Sequence, residues 1–259
     1  MPIALTTGQL EGWVAQAFFP FVRVGACLMV APMFGARFVP TRTRVILAAA
    51  ITALVVPLMP ATAIAPFSAE ALVVVAQQML IGVALGFALQ IVFDSLGLAG
   101  QVLANSMGLS FAFNVDPLRG SSTAALGQLY IILATLTFLA LGGHLALLEV
   151  LVDGFTTMPV GTEGLGREGI WMVVIWGGQL FAGAISIALP GVTALLIVNL
   201  AFGVVSRAAP TLNLFAVGFP VSLVVGLLVV LAGMGPLQQG VTQLIAQGFD
   251  FLRMLTGSR

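Results

Sequence analysis

Residues 170–205 read IWMVVIWGGQLFAGAISIALPGVTALLIVNLAFGVV, without one Asp, Glu, Lys, Arg or His. The stretch does not alternate with period two, and it is far longer than a strand. A helix in apolar surroundings is the arrangement that satisfies such a backbone. At a rise of about 1.5 Å per residue it would extend roughly 54 Å, against a hydrocarbon core of about 30 Å. Pro190-Gly191 sits at its middle, and the next apolar stretch, Leu212–Gly233, carries Pro220. Each proline deletes one helical hydrogen bond, which predicts a tall hairpin kinked at both sites.

Outward from this hairpin the pattern repeats. Apolar stretches at Trp13–Ala36, Val45–Ala65, Ala71–Phe93 and Ala124–Val152 bring the expected number of long helices to six. The run from Ala71 to Phe113, interrupted by Asp94 and a few amides, is again too long for a simple span, so it either tilts or rises out of the bilayer. Between the stretches lie an arginine-bearing turn (Arg37, Arg42, Arg44), a Pro-containing link from Pro60 to Glu70, a less apolar segment from Asp94 to Ser122, a Gly-rich loop from Asp153 to Gly169, and a tight turn from Arg207 to Pro210.

Composition agrees. Of 259 residues, 60% are hydrophobic and 7% charged, and the mean hydropathy is +1.15. Soluble domains carry about 25% charge, so water cannot solvate this surface. The expected fold is therefore an all-α integral membrane protein. Nine arginines balance nine acids, which leaves no basic excess for nucleic acid. Cys27 is the only cysteine and His144 the only histidine, so neither a disulfide framework nor a thiolate metal cluster is expected. The start of the chain has no basic n-region, which argues for a retained first helix. Arginines in odd loops outnumber those on the other side by five to three, which leaves the topology open.

Five features stand out. Arg23 stands inside the first helix, where a charge costs about 2.5–3.5 kcal/mol, so it must face protein, water or the interface. An inter-subunit salt bridge or a snorkelling anchor is the plainer reading, and a substrate contact the sharper one. Asp94, Glu149 and Asp153 are placed near helix ends rather than in a proton relay. Gly108-Leu-Ser110 with His144 is superficially similar to a rhomboid-type Ser/His dyad, but that family needs glycine after the serine and here Phe111 follows. Gly82 and Gly86 form a Gly-x-x-x-Gly face, which predicts helix contact. Segment 107–120, MGLSFAFNVDPLRG, is aromatic at first and broken by Asp116-Pro117, so its helix should end by Asp116. Such backbone at membrane depth lines a cavity or is buried in protein, and an aromatic loop of this kind can occlude a pore.

The segments resemble the FliR family of flagellar biosynthesis proteins, with its virulence counterpart SctT. The match rests on Arg23-x-Gly25, Pro32-Met-Phe-Gly35, Val39-Pro40-x-Arg42-x-Arg44, Gln101, Met107-Gly108, Asp116-Pro117, Leu139-Ala-Leu-Gly-Gly-His144, Ala188-Leu-Pro190-Gly, Val198-Asn199-Leu-Ala-Phe-Gly203, Ser206-Arg207-Ala-Ala-Pro210-x-Leu-Asn213 and Val217-Gly-Phe-Pro220. The resemblance implies a non-enzymatic core subunit of the type III export gate, without cofactor or metal, in the bacterial inner membrane at the flagellar basal body. The implied partners are FliP, FliQ, and FlhB- and FlhA-like subunits, together with unfolded flagellar substrates. A FliP-like part (1–165) is then followed by a FliQ-like kinked hairpin and tail (170–259). The resemblance also implies a pore plug at Met107, Phe111, Phe113, Asp116 and Pro117. Assembly residues in the hairpin would be Pro190, Asn199, Arg207, Pro210, Asn213 and Pro220. The competing expectation is a small secondary transporter with helices broken at Pro190 and Pro220. No carboxylate near either proline supports it.

Overall fold

The computed structural model of the chain describes residues 7–36, 38–59, 64–109, 125–208 and 214–257. All regular structure among them is helical: α1 (Thr7–Val30), α2 (Thr41–Val55) with a 3-10 turn (Val56–Leu58), α3 (Ala69–Ser106), α4 (Ala125–Ala140), α5 (Gly143–Thr157), α6 (Arg167–Trp176), α7 (Gln179–Ala208), α8 (Leu214–Ala232) and α9 (Met234–Thr256). This is an all-α membrane protein.

Among the described residues the count of candidate spans is three to five rather than six. Three helical runs are long and apolar enough to cross a bilayer: Gly12–Val30, Ala69–Ser106 and Arg167–Ala208. Two bent pairs raise the total to five, α4 with α5 at 66° and Gly218–Ala232 with α9 at 60°. The expected stretch Val45–Ala65 fails because α2 has 15 residues, about 22 Å of rise, before Pro57 enters the 3-10 turn. The stretch Ala124–Val152 divides at Gly142, whose φ of 70° lies in the left-handed region. The 170–205 stretch is two helices meeting at Gly177-Gly178. Asp94 lies inside α3, and Asp153 inside α5, not in loops. The C-terminal tail is α9: Leu237, Val241, Leu244 and Ile245 are buried along one side, a helical spacing that four glutamines dilute in a hydropathy reading.

Cα packing divides the chain into two compact units. In the first (residues 1–91, 142–177 and 247–259), α1 packs against α2 and, through glycines, against α3. A Cβ on Gly86 would lie 2.7 Å from the Cys27 carbonyl oxygen and 2.8 Å from the Ala31 nitrogen, and one on Gly82 would lie 2.9 Å from the Ala26 Cβ. The Gly-x-x-x-Gly face is thus a backbone-to-backbone approach that only glycine permits. Phe19, Ala15, Ala71 and Val74 close the core beside it. Trp176 stacks on Phe251 with centroids 4.4 Å apart, and its Nε1 donates to the Ala88 carbonyl oxygen at 2.9 Å.

In the second unit (92–141 and 178–246), α7 and α8 form the expected hairpin. The helices run unbroken through Pro190 and Pro220, and a 60° bend follows at Gly233, where the second limb passes into α9. One missing hydrogen bond at each proline leaves the flanking turns intact, whereas Gly233 lies between two helices and has no side chain to hold it. Phe93 meets Phe138 edge-on at 5.5 Å, and Gly100 lets α3 touch the start of α4, where a Cβ would come within 2.7 Å of Gly127.

Candidate functional site

Two polar constructions stand out in this apolar chain. The first is Arg23, which is 0% exposed. Its Nε donates to Gln78 Oε1 at 2.7 Å, Nη1 to the Gly154 carbonyl at 2.9 Å, and Nη2 to the Met158 carbonyl at 2.7 Å. The guanidinium lies 4.3 Å from the centroid of the Phe155 ring. Gly154 and Met158 are at the C-terminal end of α5, where the macrodipole is negative, and the Gly154 carbonyl also accepts from the Met158 N–H at 3.0 Å. Among the described residues no carboxylate pairs with Arg23. Its charge is held by helix-end carbonyls and an aromatic face, inside its own chain, and neither an inter-subunit bridge nor snorkelling is needed to explain it.

The second construction is the stem of segment 107–120. The α3 helix ends there in a Schellman arrangement. Leu109 N–H donates to the Ala104 carbonyl and Gly108 N–H to the Asn105 carbonyl, both at 3.0 Å, with Gly108 at φ 80°. The terminator is therefore Gly108, ahead of Asp116-Pro117. Met107 is fully buried, and its side chain fills a notch at Gly226 of α8: a Cβ there would lie 2.6 Å from Met107 Cε. On α7, Gly183, Gly191 and Asn199 recur every eight residues and face α3. Added Cβ atoms would press Ser95 Oγ (2.9 Å from Gly183) and Leu103 (at Gly191), while Asn199 Nδ2 makes a long 3.5 Å contact to the Ser106 carbonyl. Ser222 of α8 donates to Asn199 Oδ1 at 3.1 Å. The end of α3 is thereby held by both limbs of the hairpin.

The other expected site residues are distributed as follows. Arg207 is exposed in the last turn of α7, where its charge suits the helix dipole. Pro190 lines a cleft of about 370 Å³ with Tyr130, Ser186, Gln239 and Gln243. Pro220 is exposed on α8. Phe111, Phe113, Asp116, Pro117, Pro210 and Asn213 lie outside the described residues, as does Ser110 of the dyad pattern. Among the described residues no group of three His, Cys, Asp or Glu is placed to hold a metal.

Residues 14–248 match the family described as bacterial export proteins, family 1. The chain is 38% identical over 250 residues to the flagellar biosynthetic protein FliR of Escherichia coli K12, covering 96% of each. It is 36% identical over 226 residues to FliR of Pectobacterium carotovorum, covering 87% of each. FliR of Bacillus subtilis is 25% identical over 238 residues, 91% of this chain and 92% of that one. The chain belongs to the FliR family.

As a FliR-family member it is a membrane component of the flagellar export system, which accounts for its apolar helices. Family motifs acquire physical roles in the geometry. Arg23 secures the end of α5, Gly108 ends α3, and Gly35 permits a tight turn in which a Cβ would sit 2.6 Å from the Met29 carbonyl oxygen. Three contributors escape a sequence reading of a FliR-type chain. The carbonyls of Gly154 and Met158 have no side-chain signature. Gly226 gives only a weak signal as a lone glycine inside the apolar α8. Gln78 is a buried amide in a long apolar helix, and that is the one cue that points to a buried polar partner.

Proposed function

We propose that this chain is a non-enzymatic core subunit of the flagellar type III export gate, supplying part of the pore and its plug for unfolded flagellar proteins. The observation that supports this most is helix length with exposed apolar surface. Arg167–Ala208 is a 42-residue apolar run, about 63 Å of rise, whereas a bilayer covers about 30 Å. Phe181, Ile185, Leu189, Leu196, Leu200 and Val204 of α7 remain exposed along it. Lipid can cover only half of such a run, so other protein must cover the rest. Subunits of the FliP, FliQ, FlhB and FlhA type, in the inner membrane at the basal body, are the partners this reading names. The FliP-like part then ends near 165 and the FliQ-like hairpin follows from 170.

The plug is assigned to 107–120. Met107 and Gly108 form its anchored stem, this reading gives Phe111 and Phe113 as its occluding face, and it counts Asp116 and Pro117 among the plug residues. In the intact complex, Phe111→Ala with Phe113→Ala should raise ion leak across the membrane. A purified particle that contains the FliP- and FliQ-type partners yet leaks no more than wild type would remove the plug assignment. Recovery of a lone chain, with those partners expressed, would remove the gate reading itself.

A further inference from the structure

The cleft of about 370 Å³ in the second unit collects polar groups that the helices around it leave unanswered. It opens between α7, α8 and α9, beside the bend at Gly233, and Leu103 of α3 and Tyr130 of α4 also line it. Tyr130 is only 5% exposed, and among the described residues its hydroxyl makes no hydrogen bond. Ser186 lines the cleft together with Pro190, which has no N–H, so the Ser186 carbonyl loses its helical donor. Gln239 and Gln243 stand four residues apart on one side of α9, and both are exposed. None of the lining residues is charged.

These groups sit well inside an apolar helix. Pro190 stands 11 residues from the start of α7 and 18 from its end, about 17 Å and 27 Å of rise. At such depth an unpaired hydroxyl or carbonyl is costly. An acyl chain or an apolar side chain in the cleft would leave Tyr130, the Ser186 carbonyl and two amides without partners. Water bonds all four, because it both donates and accepts, and it brings no charge for neutral walls to balance. A buried water needs two to four polar partners and takes up about 30 Å³ as liquid, so the cleft has both the partners and the room for several.

We propose that this cleft is an aqueous site partway along α7, with water held between Tyr130, the Ser186 carbonyl, Gln239 and Gln243. Water then supplies the donor that Pro190 lacks, which lets α7 continue unbroken through the proline. At about 100° per residue, Phe181, Ile185, Leu189 and Leu196 fall on the opposite side of α7, and all four are exposed. One side of the helix thus meets water at the level where the other is apolar. The proposal needs only the described helices and does not depend on the gate reading.

The test labels single cysteines in fragments of the native membrane, where both faces are open to reagent and any partners are present. Cys27 is fully buried, so the wild-type chain is the blank. Gln243→Cys should react with a charged, membrane-impermeant methanethiosulfonate about tenfold faster than Ile185→Cys, because a thiol ionises in water and stays neutral in apolar surroundings. Tyr130→Phe combined with Gln239→Leu removes two of the polar partners and should abolish most of that advantage. Labelling of Gln243→Cys by a lipophilic maleimide alone overturns the proposal in favour of a lipid occupant. Protection from both reagents overturns it in favour of a covering protein. Equal charged labelling at positions 185 and 243 also overturns it, since the whole level would then be aqueous, as does an undiminished rate in the Tyr130 and Gln239 variant. If Gln243→Cys fails to fold, Ser186→Cys makes the same comparison from the α7 wall.

Discussion

Arg23 Nη1 donates to the carbonyl oxygen of Gly154 over 2.9 Å, joining positions 131 residues apart in the chain. With Gln78 and Met158 as the other acceptors, a single guanidinium ties α1, α3 and the end of α5 together. A charge that would be costly in lipid becomes a structural pin once helix-end carbonyls surround it.

Removing this pin leaves Gln78 Oε1 and the half-buried Met158 carbonyl without their donor, while the Gly154 carbonyl keeps the Met158 N–H. Each such group costs about 1–3 kcal/mol, so Arg23→Met should destabilise the protein by about 3 kcal/mol or more. Arg23→Lys keeps the charge but reaches fewer acceptors, and should fall between. Thermal unfolding in one mild detergent compares the three. Equal midpoints for wild type and R23M would show that the carbonyls gain nothing from the guanidinium.

The glycine face of α3 shields the only cysteine. Cys27 is fully buried, and its carbonyl is what a Cβ at Gly86 would strike. Overpacking of this kind costs about 1–3 kcal/mol, and α1 must move away to relieve it. Gly86→Ala should therefore make Cys27 react faster with maleimide in the folded protein. An unchanged labelling rate at matched stability would mean that the helices adjust without separating.

Met107 needs the notch at Gly226, so Gly226→Val should expel it and loosen the stem of segment 107–120. On the plug reading, ion leak through the assembled complex rises, as it does for the phenylalanine pair. Gly218→Val is the matched control on the same helix, since a Cβ there meets nothing within 4 Å. Equal leak from the two variants would separate Met107 packing from closure.

Asn199 connects Ser106 and Ser222, and interhelical hydrogen bonds of this sort average about 0.6 kcal/mol in membranes. Asn199→Ala and Ser222→Ala should each shift the unfolding midpoint slightly. Because the two residues share one bond, the double variant should lose less than the sum. Strict additivity would show that Ser222 and Asn199 act separately.

Much of the architecture could be read directly. The 170–205 stretch, charge-free and longer than a bilayer, called for helices, and the hairpin of α7 and α8 follows from it. Gly82 and Gly86 announced a close helix contact by spacing alone. Boundaries were harder, since hydropathy reports burial in an apolar medium and not where a helix stops. It ran through the breaks at Gly142 and Gly177, because one or two glycines barely change a local average. It missed α9, whose polar side is rich in glutamine. The 15-residue α2 was masked by the apolar link that follows it.

Composition and period determined that this chain lives in an apolar medium as helices, since too few charges exist to solvate it and every backbone group must bond locally. Its motifs determined the FliR family. The partners of individual polar groups were decided by tertiary structure alone. Arg23 is satisfied by carbonyls, Arg44 by a turn, and Asn199 by a serine hydroxyl on the neighbouring helix. Backbone carbonyls are identical at every position, so only the fold determines which of them a given side chain reaches.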